Sequence, residues 1–331
     1  MRLSDLRQLI ALLVTVAGFA SWLLSGPIGH PGVPGPTGGI TPKKTGEGLI
    51  AFTLRDSAGR LQIFTANPDG SEQRQLTFEG DNGRPAWSPD GTRLTFITDR
   101  AMGASVAIMD ADGSRQMVLA AGEAPDWSHD GESIAFSRAG QIWVMRVDGS
   151  GLHQVTRSST VKAGPSWSHD GARLAFILIQ DPQSPTSPRP TIGIVNADGS
   201  NERIVTSPGR VNVRIESDGT RTVLETADDA NAPAWSPVDD RIAFWSGIEQ
   251  RYGQVWVINA DGSGSMQLTD DPSHRNSDDP SWSPDGRKIL FSTGRSGRVE
   301  LWVMNADGTG QHRLFQIDPG PFPGRAAWQK V

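Results

Sequence analysis

The 331-residue chain contains no cysteine. That excludes a disulfide framework, a thiolate nucleophile, a cysteine metal site and a lipid-modified N-terminal cysteine. Tyrosine occurs once, at Tyr252, and the six histidines are scattered along the chain. No GxSxG elbow, HExxH helix or GxxxxGK[ST] loop occurs, so the common signatures of serine hydrolysis, zinc proteolysis and phosphate binding are missing. Basic runs are absent beyond Lys43–Lys44, and the formal net charge is -6. A nucleic-acid partner would want a basic face, so this balance argues against one.

Long apolar runs are also scarce. The one that stands out is LIALLVTVAGFASWLL, residues 9–24, behind Arg2 and Arg7. It should form one hydrophobic helix, as a signal peptide or a signal anchor within residues 1–25. Its sixteen residues fall short of the roughly 20 that span a bilayer comfortably. The positive flank would hold the N-terminus inside and direct the rest outward. Gly18-Phe19-Ala20 offers a small-x-small cleavage site, and without cleavage the run is an anchor. Residues 26–47 are rich in glycine and proline and read as an extended tether. The expected location is therefore outside the cytoplasm, membrane-anchored, or secreted or periplasmic if the signal is cleaved.

From residue 48 onward the chain repeats itself. PAWSPDGTRLTFI at 85–97 returns as PDWSHDGESIAFS at 125–137, PSWSHDGARLAFI at 165–177, PAWSPVDDRIAFW at 233–245 and PSWSPDGRKILFS at 280–292. The tryptophans stand at 87, 127, 167, 235, 282 and 328, separated by 40, 40, 68, 47 and 46 residues. A period of this length with strand-like content points to propeller blades. Each period holds four short strands: PxWS, an alternating apolar strand, a strand ending in Asp-Gly as in QVWVINADGS, and a short one such as MQLT. The domain opens at LIAFTL, residues 49–54, with no PxWS before it, and RAAWQKV supplies the missing strand at the C-terminus. The expectation is an all-β, six-bladed β-propeller over 48–331, closed by a C-terminal strand. The tryptophans read as packing between blades, and the DADG and SPDG aspartates as turn formers rather than calcium ligands.

The PxWSPDG…IxF…IWVMNADG…LT pattern resembles the TolB-type six-bladed propeller and related repeats in the propeller domains of prolyl-oligopeptidase-like enzymes. His129 and His169 depart from it by replacing a turn proline, and Val238-Asp239-Asp240 by replacing a PDG turn. The resemblance implies a protein-binding scaffold in the cell envelope, with an envelope or extracellular protein or peptide as partner.

Function should lie where the repeat is broken. The insertion at 207–233 reads as a β-hairpin standing out of the ring, and 179–191 and 247–254 are enlarged second-to-third-strand loops. In a propeller these loop classes share one face. The candidate partner-binding residues on it are Arg84, Arg210, Arg214, Asp228, Asp229, Asn231, Tyr252, His274, Arg275, Asp278, Asp279 and Arg325, with Lys162, Asp81, Asn82 and Glu123 also in its polar lining. No cofactor is expected, although Asp278 and Asp279 are placed to hold a cation. Two other readings stay open. One is a hydrolase or lyase at the channel mouth, using His274, Asp278 and Asp279. The other is a glycan-binding module, which would need Tyr252 and Trp245 exposed.

Overall fold

A computed structural model describes residues 48–101, 103–179, 190–206, 212–215, 221–224, 229–248, 251–270, 276–317 and 326–329. The apolar run at 9–24 and the tether lie outside this set. Among the described residues no helix is long and apolar enough to cross a membrane.

The described chain is built of strands in six sheets. The first blade holds β1 (Ile50–Arg55), β2 (Leu61–Ala66) and β3 (Arg74–Gln75). The second runs through β4 (Asn82–Trp87), β5 (Arg93–Ala101), β6 (Gly103–Asp110) and β7 (Met117–Ala121). The third contains β8 (Glu123–Trp127), β9 (Ser133–Arg138), β10 (Gln141–Arg146) and β11 (His153–Gln154). The fourth contains β12 (Val161–Trp167), β13 (Arg173–Ile179), β14 (Pro190–Asn196) and β15 (Arg203–Ile204). An inserted hairpin, β16 (Asn212–Ile215) and β17 (Arg221–Leu224), precedes the fifth blade. That blade is β18 (Asp229–Trp235), β19 (Arg241–Ile248), β20 (Arg251–Asn259) and β21 (Met266–Gln267). The sixth is β22 (Ser277–Trp282), β23 (Lys288–Thr293), β24 (Glu300–Asn305) and β25 (His312–Gln316), and β26 (Ala327–Trp328) is the last strand among the described residues.

β26 pairs with β1, placing Trp328 opposite Ile50 and Ala327 opposite Ala51. The first blade is therefore assembled from both ends of the ring, as the orphan LIAFTL strand implied. Two further bonds secure the join. Gln329 donates its backbone N–H to Leu49 O at 2.8 Å, and Leu49 N–H donates to Gln329 Oε1 at 3.0 Å. The fit leaves no room: a Cβ at Gly48 would lie 2.0 Å from the Gln329 carbonyl oxygen.

The core lies between blades. Trp87, Trp127, Trp235, Trp282 and Trp328 are all buried, each at the end of an innermost strand. The cation that opens the second strand of one blade stacks on the tryptophan of the next. Arg93 lies 5.2 Å from the Trp127 ring, Arg173 5.0 Å from Trp235, Arg241 5.0 Å from Trp282 and Lys288 5.7 Å from Trp328. Trp127 and Trp282 also donate their indole N–H to the previous inner strand, at Ala86 O and Ala234 O.

The repeated turns close on themselves. Ser88 donates to Asp90 at 2.6 Å and Ser283 to Asp285 at 2.6 Å. These bonds hold both carboxyls below their ordinary range, the serine hydroxyl contributing most. At Asp170 burial pushes the carboxyl up, but Ser168, the Ala172 N–H and Arg173 outweigh it and hold the value at about 2. In the DADG turn, Asp112 Oδ1 accepts the Ser114 N–H at 2.9 Å. The aspartates of these turns are engaged in shaping the backbone.

The 207–233 insertion does form a hairpin, with Val213 opposite Val223. Its first strand lies parallel to β21, pairing Val213 with Met266, so the hairpin extends the fifth blade to a six-stranded sheet at the outer rim. Sequence spacing could not reveal that attachment, because it depends on a pairing with a strand some fifty residues later.

Trp328→Ala should cost about 3–5 kcal/mol, the usual range for emptying a buried tryptophan site. Denaturant unfolding would measure it, and the C-terminal strand should become cleavable by protease in the native state. A loss under about 1 kcal/mol would contradict the packing role given to this strand.

Candidate functional site at the channel mouth

The six inner strands, β4, β8, β12, β18, β22 and β26, follow one another around the ring, and β26 meets β4 to close it. Each of the first five carries a bulge at the same place: between Gly83 and Ala86, Glu123 and Asp126, Ala163 and Ser166, Asn231 and Ala234, and Asp278 and Ser281. The second bulged residue is always proline: Pro85, Pro125, Pro165, Pro233 and Pro280. The chemistry is economical, because a bulge breaks the ladder and proline has no N–H to leave unpaired there.

The residue before each proline lies in the left-handed region. Its φ is 51° at Arg84, 51° at Ala124, 58° at Gly164, 49° at Ala232 and 49° at Asp279. Only Gly164 suits that backbone without strain. All five are partly exposed, whereas the prolines after them are buried. The bulge thus presents one partly exposed residue in each of these five blades, within the inner strand and three residues before its tryptophan. Regular backbone strain at a surface opening is a mark of a functional site.

The resulting crown is polar. Arg84 comes from blade two, Glu123 from blade three, Asn231 from blade five and the Asp278–Asp279 pair from blade six. Asn231 is buried, and the others keep accessible surface. Asp278 is the most perturbed. Its carboxyl is enclosed well enough that burial pushes it far above the ordinary carboxylate range, and the neighbouring Asp279 charge adds to the effect.

The other expected residues fall into three groups. Arg214 and Asp229 lie on β16 and β18, and Tyr252 on β20, but their side chains are outside the described set. Arg210, Asp228, His274, Arg275 and Arg325 lie outside it altogether. Of the wider lining, Lys162 and Asn82 are buried in seams between blades. Lys162 donates to Ser158 Oγ, to Thr160 Oγ1 at 2.7 Å and to Thr160 O at 3.3 Å, and pairs with Glu202 at 3.2 Å. Asn82 donates to Gln62 Oε1 at 3.0 Å. Asp81 accepts the Leu61 N–H at 2.8 Å, so it ties two loops together. Trp245 is half-buried with its indole nitrogen enclosed against Gly253, a poor surface for stacking a sugar. Among the described residues no group of three His, Asp or Glu side chains is arranged to hold a metal ion.

The left-handed crown was not foreseen. Its one visible sign in the sequence is the proline two residues before five of the six repeat tryptophans, which marks the bulge without indicating the backbone of the residue before it.

Residues 213–319 match the TolB beta propeller domain family. The Tol-Pal system protein TolB of Chromobacterium violaceum is 31% identical over 116 residues, which is 30% of this chain and 27% of that protein. The curated relatives are matched over only 17% to 41% of their own length. The crystal structure of TolB from Acinetobacter baumannii superposes with a TM-score of 0.67 at 19% identity, covering 86% of this chain and 68% of that one. An oligogalacturonate lyase in complex with manganese gives 0.52 at 15% identity, covering 83% and 74%. At these identities the structural likenesses establish the fold alone.

Two outcomes should follow. Ala232→Gly should raise stability by about 0.5–1 kcal/mol, because glycine removes the left-handed penalty, and denaturant titration would measure the change. Asp278 binds its proton more tightly folded than unfolded. Stability should therefore fall as pH rises from the ordinary carboxylate range through its raised value. Asp278→Asn should flatten that slope in melting temperatures taken from acid to neutral pH, and should be the more stable form at neutral pH.

Proposed function

We propose that this TolB-like six-bladed propeller is an exported, membrane-tethered scaffold that binds an envelope protein or peptide through its channel-mouth face. The observation that carries the proposal is the crown. Five blades bend the inner strand at the same place, and four of them hold a non-glycine residue, Arg84, Ala124, Ala232 or Asp279, in the left-handed region there. Arginine, glutamate, asparagine and aspartate together offer donors and acceptors for a polypeptide backbone and its charged side chains. The apolar run at 9–24 and the tether at 26–47 support export and tethering, and the relationship to Tol-Pal system TolB supports the envelope as the setting. The inserted hairpin, with Arg214, adds contact at the rim of blade five.

A second reading is favoured by one observation. The raised carboxyl of Asp278 is the kind of group that serves as a general acid, and a manganese-bound lyase shares the fold. Under it, Asp279 would act beside Asp278, with His274 as the further residue the sequence suggests.

Affinity capture from native envelopes decides between these readings. The full chain is used as bait beside Arg84→Glu with Asp279→Lys, and beside a deletion of 208–230. A protein retained by the wild type and lost with the crown double variant supports the scaffold; equal retention by both removes the crown from the site. The deletion should weaken capture without unfolding the ring. Manganese binding measured by calorimetry and abolished in Asp278→Asn would favour the second reading.

A further inference from the structure

The stacked cations leave one place in the repeat unfilled. β5, β13, β19 and β23 open with Arg93, Arg173, Arg241 and Lys288, which lie 5.0 to 5.7 Å from the tryptophan ring of the next blade. β9 opens with Ser133 instead. Among the described residues no cation stacks on the tryptophan that follows it, Trp167. Trp87 lacks a stacked cation too, but it is buried, whereas Trp167 is the one repeat tryptophan that stays partly exposed. The slot over the ring reaches solvent. Where it is filled, the Arg173 side chain keeps 23% of its surface accessible and Arg241 33%. Ser133 is too short to cover the ring and is itself partly exposed.

Blade three also brings carboxylates to this slot. Asp126 Oδ2 accepts the Trp167 backbone N–H at 2.8 Å. Asp130, in the turn before Ser133, is held in place by the Ser128 hydroxyl at 2.5 Å and the Glu132 N–H at 2.9 Å, and Glu132 is exposed beside it. In blade four the matching turn carboxylate, Asp170, pairs with Arg173 at 3.2 Å while that guanidinium stacks on Trp235. Blade three therefore offers the ring and the carboxylate without the guanidinium. Arg146 faces Ser133 across the sheet, but its side chain packs toward Gly151, where a Cβ would lie 3.6 Å from Arg146 Cγ.

We propose that this slot between blades three and four takes an arginine side chain of a protein partner, its guanidinium stacked on Trp167 and paired with Asp130. Arginine fits because three of the four filled slots hold one. Its planar fork can meet a ring face and a carboxylate together, which a lysine ammonium does less well. The slot lies beside the repeated turns and shares no residue with the crown, so the proposal does not depend on what the channel mouth binds. A single contact of this kind is worth about tenfold in affinity.

Indole N–H correlation spectra of the full chain in mild detergent test this, with the Trp167 signal identified from Trp167→Phe. The probes are the peptide acetyl-Gly-Arg-Gly-amide and its citrulline counterpart, which has nearly the same shape and no charge. The arginine peptide should shift the Trp167 signal saturably and bind about tenfold more tightly than the citrulline peptide. Ser133→Arg should fill the slot from within, so that the Trp167 signal no longer responds and the melting temperature rises. Ser133→Ala should bind like the wild type, and with it the two peptides still decide if Ser133→Arg does not fold. A Trp167 signal that stays still up to the peptide's solubility limit overturns the proposal. So does equal binding of the two peptides, or a response that survives in Ser133→Arg. Binding that appears only in Arg146→Ala overturns it as well, because the chain's own arginine would then cover the ring in solution.

Discussion

No blade in this ring can cover its own faces, so each depends on the tryptophan at the end of the next inner strand. Four of the six tryptophans are stacked by a cation from the preceding blade, and that contact sets one blade against another. It also divides the molecule into two ends with different freedoms. The tryptophan end carries the repeated turns and the stacked cations, and it changes little from blade to blade. The opposite end carries the insertions and the crown. Spacing between tryptophans can stretch from 40 to 68 residues because the added chain leaves the ring at the end that does not hold it together.

The same division explains what was legible in the sequence. Turns and strand alternation are local, so the SPDG and DADG segments disclosed the blades directly. The closing strand was legible because LIAFTL lacked a partner that RAAWQKV could supply. The partner of the inserted hairpin was not, because the Val213–Met266 pairing joins distant residues that no local pattern links. The fate of Lys162 was hidden for a similar reason. It occupies the same place in its inner strand as Asn82, a position that a linear reading assigns to the channel lining. In the folded ring both turn into the seam, where loop hydroxyls, carbonyls and a neighbouring glutamate or glutamine receive them.

The candidate site was legible in outline and not in mechanism. Its acidic pair, its arginine and Asn231 could be singled out as polar residues ahead of each tryptophan. What holds them at the mouth is a backbone conformation that Arg84, Ala124, Ala232 and Asp279 do not favour intrinsically. Residue type is a poor guide to such positions, because the surrounding ladder and the following proline impose them. A glycine in all five blades would have betrayed the bend, but only Gly164 does so.

The closure of the ring has a consequence for the order of events in folding. β1 and β2 leave the ribosome first, yet their sheet lacks its innermost strand until Trp328 has been made. Blades two to six each have all their strands from one continuous stretch and can form in turn. Blade one, the earliest synthesised, is the last completed, and until then the chain has an unsealed seam on each side of it. The β1–β26 pairing is thus a contact between the most distant described strands, and closing the ring has to bring them together across the whole propeller sequence.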